Sequence, residues 1–80
     1  MNNEKPCTIF CENIKWLREL YKFSTEEMAL ILGVQENSVV LIERGMIPPQ
    51  LPFSVLTQLQ EHFGANPELV FSKRLKEENA

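Results

Sequence analysis

The sequence predicts an all-α fold, a compact bundle of five short helices that includes a helix-turn-helix. Apolar side chains recur at intervals of three and four residues along much of the 80-residue chain, as they do on one face of a helix. Glycines and prolines interrupt this pattern at short intervals, and no segment shows the alternation of a half-buried strand. With 44% apolar residues, the chain is expected to form one globular domain over residues 1–80, with its core in residues 8–71.

An apolar stripe predicts the first helix. Its side chains follow one another at spacings of four, three and four: Phe10, Ile14, Leu17 and Tyr21. Thr8 is the predicted N-cap, and the polar residues 1–7 before it are expected to be flexible. Trp16 lies off the stripe, so we interpret it as either a partly exposed surface side chain or a dimer contact.

Residues 24–45 predict two short helices around a tight turn. Ser24 and Glu27 have the spacing of a capping box, in which each side chain accepts a hydrogen bond from the backbone N–H of the other residue. The first of these helices therefore starts at about Thr25. Gly33 ends it, because glycine adopts the positive φ of a helix end without strain.

The second helix of this motif is predicted over residues 35–43. Val34 enters the core just before it, Val39 and Ile42 face inward, and Gly45 closes it. Its other face is left for a partner: Glu36, Asn37, Val40 and Leu41.

The prolines of segment 46–52 predict a loop, since they cannot continue a helix. Pro52 suits the first turn of a fourth helix, which Gly64 ends. The predicted inward face of this helix consists of Phe53, Leu56, Leu59 and Phe63.

A fifth helix is predicted to begin with Asn66 as N-cap and Pro67 in its first turn. It carries the apolar run 69–71, followed by a charged tail, 73–80, that is expected to be flexible. One helix face cannot bury three consecutive residues, so we expect one of them to contact a second copy of the chain.

Cys7 and Cys11 are the only cysteines, and we interpret them as reduced, half-buried apolar groups in a reducing compartment. A redox pair and half of an intermolecular metal site are the alternatives. Tetrahedral zinc needs about four ligands, and the single histidine, His62, is distant in sequence, so no metal site is predicted. The absence of a long apolar run predicts a cytoplasmic protein that does not bind membranes.

No group of residues in the sequence suggests catalysis. The chain has one histidine, no glycine-rich phosphate loop and no cysteine with a basic neighbour. We therefore expect neither an enzyme nor a cofactor.

The strongest combined pattern lies in residues 14–63 and comprises Ile14, Leu17, Arg18, Phe23, Ser24, Glu27, Met28, Ala29, Leu32, Gly33, Val34, Val39, Ile42, Glu43, Gly45 and Phe63. These residues resemble the phage-repressor, Cro-like helix-turn-helix family, whose fold is that of lambda-repressor-like DNA-binding domains. The resemblance covers about 50 of the 80 residues. It implies a sequence-specific regulator of transcription that binds double-stranded DNA with helix 35–43 in the major groove.

The resemblance also implies roles for individual residues. The base-contacting positions are Gln35, Glu36, Asn37 and Leu41, with Val40 beside them. Contacts to phosphates are implied for Lys22, Thr25 and Arg44, and a structural salt bridge for Arg18 with Glu43. A homodimer is expected, since one recognition helix gives a small interface for tight specific binding.

The charge of the chain favours a second interpretation of its function. The net charge is −3, and residues 14–63 contain four basic against six acidic side chains, whereas most DNA-binding modules carry a basic footprint. The alternative is a protein-protein interaction module that does not bind DNA. Its predicted interface consists of Leu30, Val40, Leu41, Met46 and Ile47.

Overall fold

The computed structural model describes residues 5–78 and contains five α-helices and no strand within that range. The helices are α1 (Pro6–Leu20), α2 (Thr25–Leu32), α3 (Glu36–Glu43), α4 (Ser54–Phe63) and α5 (Leu75–Glu78). α1 packs against α3 and α5, and α2 packs against α3 and α4. The all-α prediction is confirmed, and the core lies between these helices.

α1 begins two residues before the predicted N-cap. Lys5 is the N-cap, Pro6 follows at the first helical position, and Thr8 lies inside the helix. Proline is well suited to this place because its missing N–H would have no partner in the first turn. The expectation that residues 1–7 are flexible is wrong for residues 5–7, which form the N-cap and the start of α1, and residues 1–4 lie outside the described range.

Tyr21 was expected on the buried stripe of α1 but is 49% exposed. The helix ends at Leu20, so the tyrosine is the C-cap and no longer follows the helical register. Its ring packs instead at the edge of an aromatic cluster, 5.9 Å from the ring of Phe23 and 5.2 Å from that of Phe63.

α2 forms as its local sequence predicts. The Ser24 hydroxyl accepts a hydrogen bond from the Glu27 N–H at 3.0 Å, and the Glu27 carboxylate accepts one from the Ser24 N–H at 2.8 Å. Gly33 ends the helix with a φ of 74°. The turn from Gly33 to Gln35 then leads directly into α3, where Val39 and Ile42 are fully buried as expected.

Phe53 was expected on the inward face of α4 but is 89% exposed. α4 begins at Ser54, and its buried residues are Val55 and Leu59. Phe53 precedes Val55 by two residues, which places it about 200° around the helix axis from the buried side. The preceding proline-rich loop sets this start point, while Gly64 ends α4 as predicted.

The fifth helix does not form at Asn66. The carbonyl of Asn66 accepts from the N–H groups of Leu69 and Val70 at 3.0 Å, and the Leu69 carbonyl accepts from those of Ser72 and Lys73 at 2.9 Å, but these turns do not form a regular helix. Asn13 of α1 donates to the carbonyls of Val70 and Lys73, which a continuing helix would use internally. α5 begins only at Leu75.

The apolar side chains of residues 69–71 pack largely against other residues of the same chain. Val70 is fully buried, Phe71 stacks on Phe10 with ring centroids 4.6 Å apart, and Leu69 is half-buried. The expectation that this run supplies a dimer contact is therefore unnecessary. The expected flexible tail also packs on α1 as far as it is described, with Leu75 against the core, while residues 79–80 lie outside the described range.

Candidate nucleic-acid interface

The N-terminal ends of α2 and α3 meet at one surface. The Thr25 hydroxyl, in the first turn of α2, donates a hydrogen bond of 2.6 Å to the Glu36 carboxylate, in the first turn of α3. The family resemblance implied a phosphate contact for Thr25 and a base contact for Glu36. The fold brings these two side chains into direct contact.

α3 presents its first turn to solvent. Gln35, Glu36 and Asn37 are exposed, whereas Val39 and Ile42 on the opposite face have no exposed surface. The Gln35 side chain makes no capping hydrogen bond, so it is available to a partner. Val40 and Leu41, farther along the helix, are half-buried.

A bidentate ion pair fixes the other end of α3. Nε and Nη2 of Arg18 donate to the two carboxylate oxygens of Glu43, the second at 2.9 Å, and Nη1 donates to the Phe23 carbonyl at 2.9 Å. The side chains are only 20% and 12% exposed. The hydrogen bond to Glu43 raises the pKa of Arg18, whose guanidinium is charged in proteins in any case.

Two of the predicted phosphate contacts, Lys22 and Arg44, are exposed and form no ion pair within residues 5–78. Lys22 has a φ of 59°, a left-handed conformation that ends α1 and turns the chain toward α2. Arg44 caps the C-terminal end of α3 and borders a cleft of about 250 Å³ between α1 and α3. Lys15 of α1 lines the same cleft, which adds a third cation near α3.

Acidic and apolar side chains occupy other parts of α2, α3 and the segment after α3. Glu26 and Glu27 are exposed in the first turn of α2, and Leu30, on the same helix, is 78% exposed. Met46 and Ile47 are also exposed, and the Met46 N–H donates to the Leu41 carbonyl at 3.0 Å. Of the predicted protein interface, Val40 and Leu41 are therefore the less accessible members.

Neither cysteine is in a disulfide. Cys7 is exposed and Cys11 is buried, and burial raises the pKa of the Cys11 thiol, which keeps it neutral. Within residues 5–78 there is no cluster of histidine, cysteine and carboxylate side chains that could hold a metal ion. The same range contains no helix that is long and apolar enough to span a bilayer.

Asn13 is the structurally important residue that the sequence analysis missed. It is 1% exposed, and its amide forms hydrogen bonds to three residues of the C-terminal segment. Its position in the sequence could have indicated that it is buried, because Asn13 lies three residues after Phe10 and four before Leu17, on the apolar stripe of α1. A polar residue on a buried stripe needs hydrogen-bond partners elsewhere in the fold.

Comparison with known proteins finds no matching family model, no matching curated protein and no matching solved structure. The fold class consequently rests on the helices themselves. Inferences about function rest on the surface formed by α2 and α3.

Proposed function

We propose that this chain is a sequence-specific DNA-binding regulator of transcription, in which α2 and α3 form a helix-turn-helix of the lambda-repressor-like type. α3 is the recognition helix that enters the major groove, and the N-terminal end of α2 contacts the phosphate backbone. The protein acts as a homodimer, so that two copies of α3 read two half-sites.

The hydrogen bond between Thr25 and Glu36 is the observation that carries this proposal. A helix-turn-helix needs the start of its first helix near a phosphate while the start of its second helix reaches base edges. The 2.6 Å contact supports this arrangement because it joins those two helix starts at one exposed surface. With eight residues, α3 is about 12 Å long, comparable with the width of the major groove.

The exposed side chains of α3 have suitable chemistry for reading bases. The Glu36 carboxylate retains acceptor capacity for the amino group of cytosine beyond the hydrogen bond from Thr25. The Asn37 amide can pair with adenine through two hydrogen bonds, and the accessible part of the half-buried Leu41 can pack on the methyl group of thymine. The bidentate pair of Arg18 with Glu43 holds α3 at a fixed orientation while these contacts form.

The decisive test is selection of duplexes from a randomised pool, followed by fluorescence anisotropy with the selected sequence and with a scrambled one. We expect tighter binding to the selected duplex by a factor of about 10³ or more, the lower end for specific DNA-binding proteins. No binding to any selected duplex at low salt would contradict DNA binding.

Salt should weaken DNA binding only moderately. Lys15, Lys22 and Arg44 give a dimer about six candidate phosphate contacts, and each contributes about −0.9 to the slope of log K against log salt. The slope should therefore be no steeper than about −5. Arg44→Ala should reduce its magnitude by about two units per dimer without changing sequence preference.

Anisotropy titrations at several salt concentrations measure this slope. Lys76→Ala is the matched control, because Lys76 lies in α5, which packs against α1. An unchanged slope for Arg44→Ala would remove this residue from the phosphate contacts.

Glu36→Ala, unlike Arg44→Ala, should change the sequence preference of DNA binding. Loss of the carboxylate should relax the preference for one cytosine by about tenfold, since a good base contact contributes roughly 1–3 kcal/mol of discrimination. Overall affinity should rise as a charge that repels phosphates is removed.

Thr25→Val is the companion variant, because it removes the hydroxyl that holds Glu36 but keeps the carboxylate. Competition among duplexes that differ at single positions measures both effects, and an unchanged preference in Glu36→Ala would exclude base reading by this residue.

A protein-protein interaction module is the second candidate, favoured by the 78% exposure of Leu30 beside an acidic first turn of α2. Exposed apolar side chains in acidic surroundings suit a basic, amphipathic segment of another protein. The DNA selection separates the two functions, because the interaction module predicts no enrichment of any duplex.

A further inference from the structure

Phe53 is the most exposed of the large apolar side chains in the described part of the chain, at 89%. It lies at the N-cap of α4, directly after the rigid loop of prolines. Its ring makes no aromatic contact of the kind that joins Phe10 to Phe71 or Tyr21 to Phe63. Such a ring favours a partner, because enclosing it removes a large apolar surface from water.

An apolar groove of about 210 Å³ opens directly beside Phe53. Phe10 and Phe71 contribute aromatic surface to it, Ile47 and Leu51 border it, and the prolines of segment 48–52 form much of the remaining wall. A cavity of about 150 Å³ with apolar walls is enough to bind benzene, so the groove is large enough for a phenyl ring. Prolines fix the backbone, and a preformed site loses little conformational entropy on binding.

We infer that a second copy of this chain covers this surface, with Phe53 of each copy inserted into the groove of the other. A two-fold axis pairs one surface patch with itself, so the projecting ring and its receiving groove must lie side by side on one molecule. They do so here.

The charge distribution at this surface permits a second copy. Two chains that each carry a net charge of −3 repel one another, and any interface between them must avoid bringing like charges together. No charged side chain of residues 5–78 lines the groove. The contact therefore buries apolar groups without desolvating an ion.

The area is that of a weak, reversible dimer. An enclosed phenylalanine buries about 150–250 Å², so two inserted rings account for about 300–500 Å². With the groove surface that they cover and contact at the edges, where Ile47 is exposed, the total stays at or below roughly 1,000 Å², the low end for specific interfaces. We therefore expect a monomer–dimer equilibrium that depends strongly on concentration.

For its biological role, this inference rests on the proposed function, since the dimer would place two copies of α3 on one DNA duplex. Its test uses no DNA. A protein that dimerises through Phe53 but binds no duplex would contradict the proposed function and leave this inference intact. A protein that binds the selected duplex as a dimer and whose dimerisation is unaffected by Phe53→Ser would contradict this inference and leave the proposed function intact.

Sedimentation velocity on the full chain tests the interface. Phe53→Ser should raise the dissociation constant of the dimer by about 100-fold or more, because each dimer loses two buried rings. Leu30→Ser is the matched control, since it removes a side chain that is also highly exposed but does not line the groove. It should leave the dissociation constant within about threefold of wild type, and circular dichroism should show an unchanged fold in both variants.

A complementation experiment tests whether the contact is reciprocal. Phe53→Glu and Ile47→Lys should each self-associate poorly, but a mixture should form a heterodimer, because one ring then enters an intact groove while a lysine meets a glutamate at the other. A monomeric wild-type protein at the highest concentrations, or equal dimerisation of wild type and Phe53→Ser, would overturn the inference. Loss of dimerisation in Leu30→Ser would move the interface to α2 and would also overturn it.

Discussion

Glu43→Ala should lower the free energy of unfolding by about 3 kcal/mol. Removal of one partner from a buried ion pair typically costs about 3–5 kcal/mol, and the lower end applies because 20% of the Arg18 side chain and 12% of the Glu43 side chain are exposed. The variant leaves a guanidinium whose remaining protein partner is the Phe23 carbonyl. It also leaves a void where the carboxylate joined α3 to α1.

Arg18→Met should destabilise the protein less, since methionine keeps an apolar stem of similar length against α1 and α3. The double variant Arg18→Met/Glu43→Ala should lose less stability than the sum of the two single variants, because it removes both charges together and leaves neither unpaired. Urea unfolding of the four proteins measures the coupling between the two sites. Midpoints equal to that of the wild type in both single variants would mean that the pair contributes nothing to stability.

The parts of the fold that the sequence predicted best depend on contacts between near neighbours. The capping box of Ser24 and Glu27 forms across three residues, and the left-handed glycines at positions 33 and 64 end the helices that precede them. These features are encoded locally, so α2 and the ends of α2 and α4 could be predicted without knowledge of the rest of the chain.

The errors came from contacts that are distant in sequence. Asn13 reaches Val70, Lys73 and Leu75 across 57 to 62 residues, and these bonds determine where regular helix resumes after Asn66. Phe53 was assigned to the wrong face because the start of α4 depends on how the loop before it packs. Periodicity alone does not specify where a helix begins to within one residue.

The residues of the candidate site could be proposed from the sequence, but the contacts between them could not. Thr25 and Glu36 could be named from the motif, whereas their hydrogen bond depends on the packing of α2 against α3. The groove beside Phe53 combines residues from α1, the proline loop, α4 and the segment after α4. No local pattern brings these four parts of the chain together.

Asn13→Leu should lower the free energy of unfolding by about 3 kcal/mol or more. The Asn13 amide donates to the carbonyls of Val70 at 2.8 Å and Lys73 at 2.9 Å, and its oxygen accepts from the Leu75 N–H at 2.8 Å. Leucine leaves these three backbone groups without their partner, and each unsatisfied buried group costs roughly 1–3 kcal/mol. The loss should be the same at every pH, because neither side chain titrates.

Asn13→Asp distinguishes hydrogen bonding from simple filling of space. Aspartate has almost the same shape and can still accept from Leu75, but its ionised form cannot donate to the two carbonyls, and burial disfavours the charge. The pKa of this carboxyl should therefore be higher in the folded protein than in the unfolded chain. Below about pH 4 the protonated carboxyl can donate to only one of the two carbonyls, so the stability deficit relative to wild type should be about 1–3 kcal/mol there. It should grow by up to about 1.4 kcal/mol per pH unit until the folded-state pKa is passed. Urea unfolding of wild type, Asn13→Leu and Asn13→Asp between about pH 4 and pH 7 measures these differences. A deficit in Asn13→Asp that does not change with pH would show that Asn13 is not enclosed by the C-terminal segment, and the hydrogen-bonded connection between α1 and α5 would then not exist in solution.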